Sequence, residues 1–241
     1  NLFNNNNYQN EHNAPLADKL RPKTLDDFFG QELILKNNSL LRNAIVYDKL
    51  SNFIFSGPPG VGKTTLIEII SSHTRSKLIK LNAVLSSIKE LRAEISNAKE
   101  RLIKTNRKTI IFIDEVHRFN AIQQDALLPS IENGTITFIG ATTENPFFAV
   151  NKALISRSRI FRLLPLEEKD LKKIIEKVIN YYRNLQNPKT IKITEEAINH
   201  LIQFSNGDAR TLINSLEMSV GITNENEAKD IIINLSIAED S

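Results

Sequence analysis

The stretch Gly57-Pro-Pro-Gly-Val-Gly-Lys-Thr64 constrains this chain more than any other. Its pattern is Gly, four residues, then Gly-Lys-Thr, and each residue type answers a physical need. Glycines let successive backbone N–H groups turn inward around an anion. A helix starting at the lysine presents its positive end to the same charge. Such a loop works between a strand and a helix, and the flanks comply: residues 51–56 read as a strand and 63–72 as a helix. The expected fold is therefore α/β, with this P-loop at the carboxyl edge of a parallel sheet. Gly57, Pro58, Pro59, Gly60, Val61, Gly62, Lys63, Thr64 and Thr65 become candidate ATP-binding residues. Lys63 would reach the β- and γ-phosphates, and the Thr64 hydroxyl would ligate Mg²⁺.

Other apolar runs extend the pattern. Residues 53–55, 78–81, 109–113, 136–139 and 160–163 alternate with helical segments, predicting a five-stranded parallel sheet covered on both faces. The third run, Ile110-Ile-Phe-Ile-Asp114-Glu115, ends in two carboxylates at the edge where ligands bind in open α/β sheets. Asp114 is the candidate Mg²⁺ ligand and Glu115 the candidate general base for an attacking water. The fourth run ends Ile139-Gly-Ala-Thr-Thr143. If it lies between the two motif strands, Thr143 can touch that water or the γ-phosphate. On its own it reads as well as a Thr-rich turn capping a strand.

Beyond Leu164-Pro165 the strands are expected to stop and a small all-α domain to follow. Leu171, Ile174, Ile175, Val178, Ile179 and Tyr182 form one apolar helical stripe. Thr194 suits the N-cap of a second helix burying Ile198, Leu201 and Ile202, with Gly207 to end it. Asp208 suits the N-cap of a third, carrying Leu212, Ile213 and Leu216. The tail from 223 to 241 reads as a short helix at best. The Asn-rich residues 1–14 read as a flexible N-terminal arm.

Composition sets outer limits. No cysteine is present, which excludes disulfides and thiolate zinc sites, and the four histidines lack metal-ligand spacing. A net charge of +3 is compatible with nucleic acid and too mild to argue for it. No apolar run has the length of a membrane helix and no secretory layout opens the chain, so a cytoplasmic location is expected, nucleoid-associated if bacterial.

Longer motifs carry a resemblance. Pro15-Leu-Ala-Asp-Lys-Leu-Arg21-Pro22-Lys-Thr-Leu-Asp-Asp-Phe-Phe-Gly-Gln31 resembles the nucleotide-base-binding segment of clamp-loader-clade AAA+ ATPases, which makes Arg21 and Pro22 candidate nucleotide contacts. Asp114-Glu-Val-His-Arg-Phe-Asn120, Gln123-Gln-Asp-Ala-Leu-Leu-Pro129 and Gly140-Ala-Thr-Thr-Glu-Asn-Pro-Phe147 together are similar to the replication-associated recombination protein A (RarA/MgsA) family. The resemblance spans about residues 2–217. It implies a DNA-dependent ATPase acting at stalled forks and on single-stranded, gapped or duplex-end DNA. It also implies a homo-oligomer and association with single-strand-binding protein. Leu154-Ile-Ser-Arg157-Ser resembles the clade's Ser-Arg-Cys segment, with Ser158 for Cys, so Arg157 would reach a neighbour's γ-phosphate in trans. Gly207-Asp-Ala-Arg210 resembles sensor 2, which would set Arg210 over its own subunit's nucleotide. Without the resemblance, Arg157 is equally part of a basic edge with Arg159 and Arg162, and Arg210 a surface arginine.

The expected domains are an AAA+ ATPase core over 15–164 and a helical lid over 165–241. The family's C-terminal oligomerisation domain is expected to be missing from this stretch. Lys89, Arg92, Lys99, Arg101 and Lys104 on the helix over 86–104 could face phosphates, but the interleaved Glu90, Glu94 and Glu100 favour a solvated face. Asn82 is a candidate for holding Glu115 off its water, and Asn120 with Gln123 for a capping box. Two rival functions remain. One is a clamp-loader-like subunit switched by ATP with little turnover. The other, ranked last, is a branch-migration motor resembling RuvB, for which no winged DNA-binding segment is expected here.

Overall fold

In the computed structural model, residues 14–185, 190–223 and 230–241 are described. They form two compact units, residues 23–164 and residues 14–22 with 165–241. In chain order the elements are α1 (Leu16–Lys19), α2 (Glu32–Leu35), α3 (Leu40–Val46), β1 (Phe53–Ser56), α4 (Lys63–His73), β2 (Lys77–Asn82) and α5 (Ile88–Thr105). There follow β3 (Thr109–Asp114), a 3-10 turn at Val116–Arg118, α6 (Ala121–Asp125), α7 (Leu128–Glu132), β4 (Ile136–Thr142), α8 (Pro146–Ala149), α9 (Lys152–Ser156) and β5 (Arg159–Arg162). The last are α10 (Glu168–Arg183), β6 (Thr190–Ile193), α11 (Glu195–Ser205), α12 (Ala209–Thr223), β7 (Asp230–Ile233) and α13 (Leu235–Glu239).

The sheet unit holds five parallel strands in the order β2-β3-β4-β1-β5. Its three central strands are apolar on both faces because helices cover both. Phe53, Phe55, Ile110, Phe112, Ile139 and Ala141 point to one side, packed with Leu41 and Ile45 of α3 and Leu66, Ile67 and Ile70 of α4. Ile54, Ile111, Ile113 and Phe138 point to the other, with Leu91 and Ala98 of α5 and Leu127 and Ile131. Phe161 on edge strand β5 closes edge-on against Phe53, ring centroids 5.2 Å apart. The period-2 alternation of the strands thus builds two cores at once.

All five expected strands are present, and β4 does lie between β3 and β1. Helix α5 runs from Ser87, whose hydroxyl accepts from Glu90 N, to Asn106 in the left-handed conformation. Two of its basic residues are engaged within the unit rather than lined up on a phosphate-facing row, the reading that the interleaved glutamates disfavour. Arg101 turns inward and donates to the buried Thr109 hydroxyl at 2.7 Å, while Lys104 pairs with Glu100 one turn earlier. That hydrogen bond, then its charge, holds the Glu100 carboxyl below its ordinary value. Asn120 and Gln123 form the expected capping box.

In the helical unit, α10 buries Leu171, Ile174, Ile175 and Val178 as the stripe requires. Thr194 Oγ1 accepts from Ala197 N and Asp208 Oδ1 from Arg210 N and Thr211 N, so both expected caps form. Three features differ from expectation. Asn206, in the left-handed conformation, rather than Gly207, is the C-cap of α11. The unit is helical but not all-α, since β6 and β7 pair in parallel with Ile191 opposite Ile231 and Ile193 opposite Ile233. Four-residue strands joined through two helices leave no local period to read.

The third difference is a boundary. Residues 15–22, expected to open the core over 15–164, group with residues 165–241 instead. Leu16 is buried, and its backbone N–H donates to both carboxylate oxygens of Glu217 on α12 at 3.2 and 3.3 Å. A free helix-start N–H needs an acceptor, and Glu217 supplies a charged one. The arm expected over 1–14 lies outside the described residues except for Ala14. No described helix is long and apolar enough to cross a membrane.

Candidate active site

The P-loop turns from β1 into α4, where Lys63 opens the helix and Gly62 is its left-handed N-cap at φ +98°. A Cβ on Gly62 would stand 2.5 Å from Phe28 Cζ, and one on Gly57 2.3 Å from the Leu163 carbonyl oxygen. The loop backbone is therefore pressed between an aromatic ring and the end of β5, and the Gly57 N–H ties it to Thr142 O at the end of β4 at 3.2 Å. Gln31 locks that end, donating to Leu164 O at 2.7 Å and accepting from Leu164 N at 2.9 Å. Pro58 and Pro59 are exposed, Gly60, Thr64 and Thr65 half-buried, and Val61 buried in the core. Lys63 is buried, its ammonium donating to Gly57 O and Pro58 O at 2.7 Å each. A buried ammonium needs such partners to offset the loss of water, and the two carbonyl oxygens of the loop supply them.

Asp114 ends β3 half-exposed, and its Oδ1 accepts from Glu115 N at 3.2 Å. Glu115 itself has φ +54°, a left-handed backbone that a glutamate rarely adopts. This conformation turns the chain off the strand at once into the 3-10 turn, closed by Arg118 N donating to Glu115 O at 2.8 Å. The Glu115 carboxylate then lies beside the end of β4, where the exposed Thr143 hydroxyl donates to Oε2 at 3.5 Å. Asp114, Glu115 and Thr143 thus stand on adjacent strand ends, with the P-loop on the next strand over. Asn82 pairs with Asp114 in strand register, but its side chain accepts from Val84 N at 2.8 Å and so closes its own turn.

A divalent ion fits this donor set. The Thr64 hydroxyl, the Asp114 carboxylate and a phosphate are hard oxygen ligands of the kind Mg²⁺ takes, with water completing the shell. No cluster of three or more His, Cys, Asp or Glu able to hold a metal exists among the described residues.

Arg157 caps α9 on the edge of the sheet unit. Its guanidinium pairs with Glu132 at 2.5 Å and donates to Ala153 O and Ser156 Oγ. Its carbonyl accepts from Asn52, whose side-chain oxygen also takes Phe138 N, so one amide ties β4 to the start of β5 beside β1. Arg21, Pro22 and Arg210 belong to the helical unit. Arg21 pairs with Asp18, and Arg210 is exposed in the first turn of α12. A cation at a helix start opposes the macrodipole, so helix stability does not explain Arg210.

Sequence reasoning passed over three residues here. Phe28 fits against Gly62, and Glu132 holds Arg157. His117 is nearly buried and lies between Thr142, Glu115 and Glu144. It stands in the Asp114-Glu-Val-His-Arg motif, three residues after Asp114, where the residue types alone give it no role.

Residues 53–167 match the ATPase family associated with various cellular activities (AAA), and residues 186–241 match the AAA C-terminal domain. The chain is 42% identical over 214 residues to replication-associated recombination protein A of Haemophilus influenzae, covering 89% of this chain and 48% of that protein. It is 40% identical over 221 residues to the ATPase WRNIP1 of Dictyostelium discoideum, covering 92% of this chain and 25% of that one. In structure it is similar to the RuvB Holliday junction branch migration motor of Thermotoga maritima, with a TM-score of 0.72 and 28% identity over 92% of this chain and 71% of that one. The chain thus spans about half the length of the Haemophilus relative it matches. With the P-loop, the Asp-Glu strand end and the helical C-terminal region all in place, the chain belongs to the replication-associated recombination protein A family of AAA+ ATPases.

Proposed function

We propose that this chain is the ATPase portion of a DNA-dependent enzyme of replication-fork maintenance, recombination and repair, converting ATP and water to ADP and phosphate. The strand order supports this reading most. It brings the P-loop, the Asp114-Glu115 strand end and Thr143 to one edge of one sheet. In this scheme the P-loop N–H groups and Lys63 grip the phosphates. Glu115 accepts a proton from water, whose oxygen bonds to the γ-phosphorus as the bond to the bridging oxygen breaks and ADP leaves. Thr143 holds the water or a γ-oxygen. The Thr64 hydroxyl and Asp114 carboxylate would hold Mg²⁺, whose chemistry there is to neutralise phosphate charge.

Arg157, supplied in trans, would spread the charge of the transferring phosphoryl group, making turnover conditional on assembly. Arg210 takes a second such role, and Arg21 with Pro22 a nucleotide contact, from the family pattern. DNA is the proposed effector, a homo-oligomer the proposed form and single-strand-binding protein a proposed partner, at the nucleoid of the cytoplasm. The likeness to a branch-migration motor favours a second reading, in which the DNA acted on is a four-way junction. It ranks below the first because identity to the recombination protein is higher.

The test is ATP hydrolysis with no DNA and with single-stranded, gapped, blunt-ended and four-way-junction DNA. The first reading expects stimulation by single strands, gaps or ends. Lys63→Ala and Glu115→Gln should abolish turnover, the second while retaining nucleotide. Nucleotide binding without turnover on any DNA would sink this reading in favour of an ATP-switched binding subunit.

A further inference from the structure

We propose that His117 is a positioning residue for hydrolysis, joining the Glu115 carboxylate to the end of β4 so that base and sensor threonine move as one. This rests on the reading of Glu115 as base. The imidazole is only 8% exposed, and polar atoms surround it. Nδ1 lies 2.9 Å from Thr142 Oγ1 and 3.3 Å from Glu115 Oε2, while Nε2 lies 3.5 Å from Glu144 Oε1. Thr142 is fully buried, and its hydroxyl oxygen already accepts from Glu144 N at 3.0 Å. Its second lone pair is free to accept from an Nδ1–H, the tautomer in which that one proton is shared with Glu115 Oε2.

Two features make this more than a satisfied core histidine. Glu115 leaves β3 through a left-handed backbone, so its carboxylate is aimed by the turn Glu115–Arg118 and not by the strand. His117 is the residue of that turn whose ring reaches β4. Second, Nδ1 faces two oxygens at once, one on the proposed base and one on the strand that carries Thr143. A single ring nitrogen cannot fully serve both, so a swing of Glu115 toward or away from the γ-phosphate is registered at Thr142, next to Thr143. Networks of this kind fix geometry when every member is partnered, and lose it when one is removed.

The test measures kcat and KM for ATP at saturating DNA, the Kd of a non-hydrolysable ATP analogue and the melting temperature. His117→Ala should lower kcat roughly tenfold or more with analogue affinity within about twofold. His117→Asn, which keeps an amide near the Nδ1 position, should recover part of the loss. Thr142→Val, which keeps the shape and deletes the hydroxyl, carries the same expectation should the alanine variant not fold. Parental kcat in His117→Ala or Thr142→Val while Glu115→Gln is inactive overturns this inference alone. So does a loss of kcat, affinity and melting temperature together that His117→Asn fails to mend, since that marks a purely structural residue. Retained turnover in Glu115→Gln would remove the base assignment and this inference with it.

Discussion

At Gly62 a left-handed φ coincides with a ring that leaves no room for a methyl group. Gly62→Ala should therefore cost about 1–3 kcal/mol of stability from backbone strain, with more from displacing Phe28. Thermal melting and titration with a fluorescent ATP analogue should both report loss. Adding Phe28→Leu should mend only the steric part. Ser158 presents the opposite case. Its hydroxyl is buried with no hydrogen-bond partner among the described residues, at the position where the clade carries cysteine. Ser158→Cys should be neutral or raise stability by about 1 kcal/mol in urea titration, because a thiol is less penalised by a dry site. A clear loss would mean that the hydroxyl has a partner in solution.

Among elements, α10 carries a titration that should be visible from outside. Burial first, and then the charge of Glu217, push the Tyr182 hydroxyl from its ordinary value near 10 up to about 12. The folded form thus favours the neutral phenol more than the unfolded chain does. That contribution is complete below pH 10, and it is lost as pH rises from there through 12. Tyr182→Phe should flatten the alkaline fall in stability, measured as denaturation midpoints across that window. If the variant falls as steeply as the parent, another group governs. Glu217 also anchors α1, so its replacement should loosen residues 14–22 as well. The strongly periodic elements, such as α10 and the central strands, could be read from their own residues. The β6–β7 pair could not, because each strand has four residues and its partner lies beyond α11 and α12.

For the whole molecule, the trans role of Arg157 is the decisive question. The residue already has a partner in Glu132, yet both side chains are more than a third exposed. A pair that open to water contributes about 0–1 kcal/mol, so giving it up for a neighbour's phosphate costs little. Arg157→Ala and Lys63→Ala should each be inactive alone. Mixed, they should regain activity at roughly a quarter of the interfaces, where an intact P-loop meets an intact finger. No recovery on mixing, in a sample shown to exchange subunits, would place Arg157 in its own subunit's chemistry or in none.

The sequence by itself determined the sheet, the P-loop and the Asp114-Glu115 strand end, since apolar period, glycine spacing and paired carboxylates are local properties of the chain. It also placed Thr143, conditional on a strand order that it could only suppose. What surrounds those residues was decided by tertiary structure alone. Phe28 against Gly62, Glu132 on Arg157, Glu217 on Leu16 and His117 between Thr142 and Glu115 each join segments by packing or hydrogen bonding. Chemistry that one residue type can perform is written in the chain. The neighbour that aims it is chosen only when distant segments fold together, because aim depends on distance and direction and not on residue type.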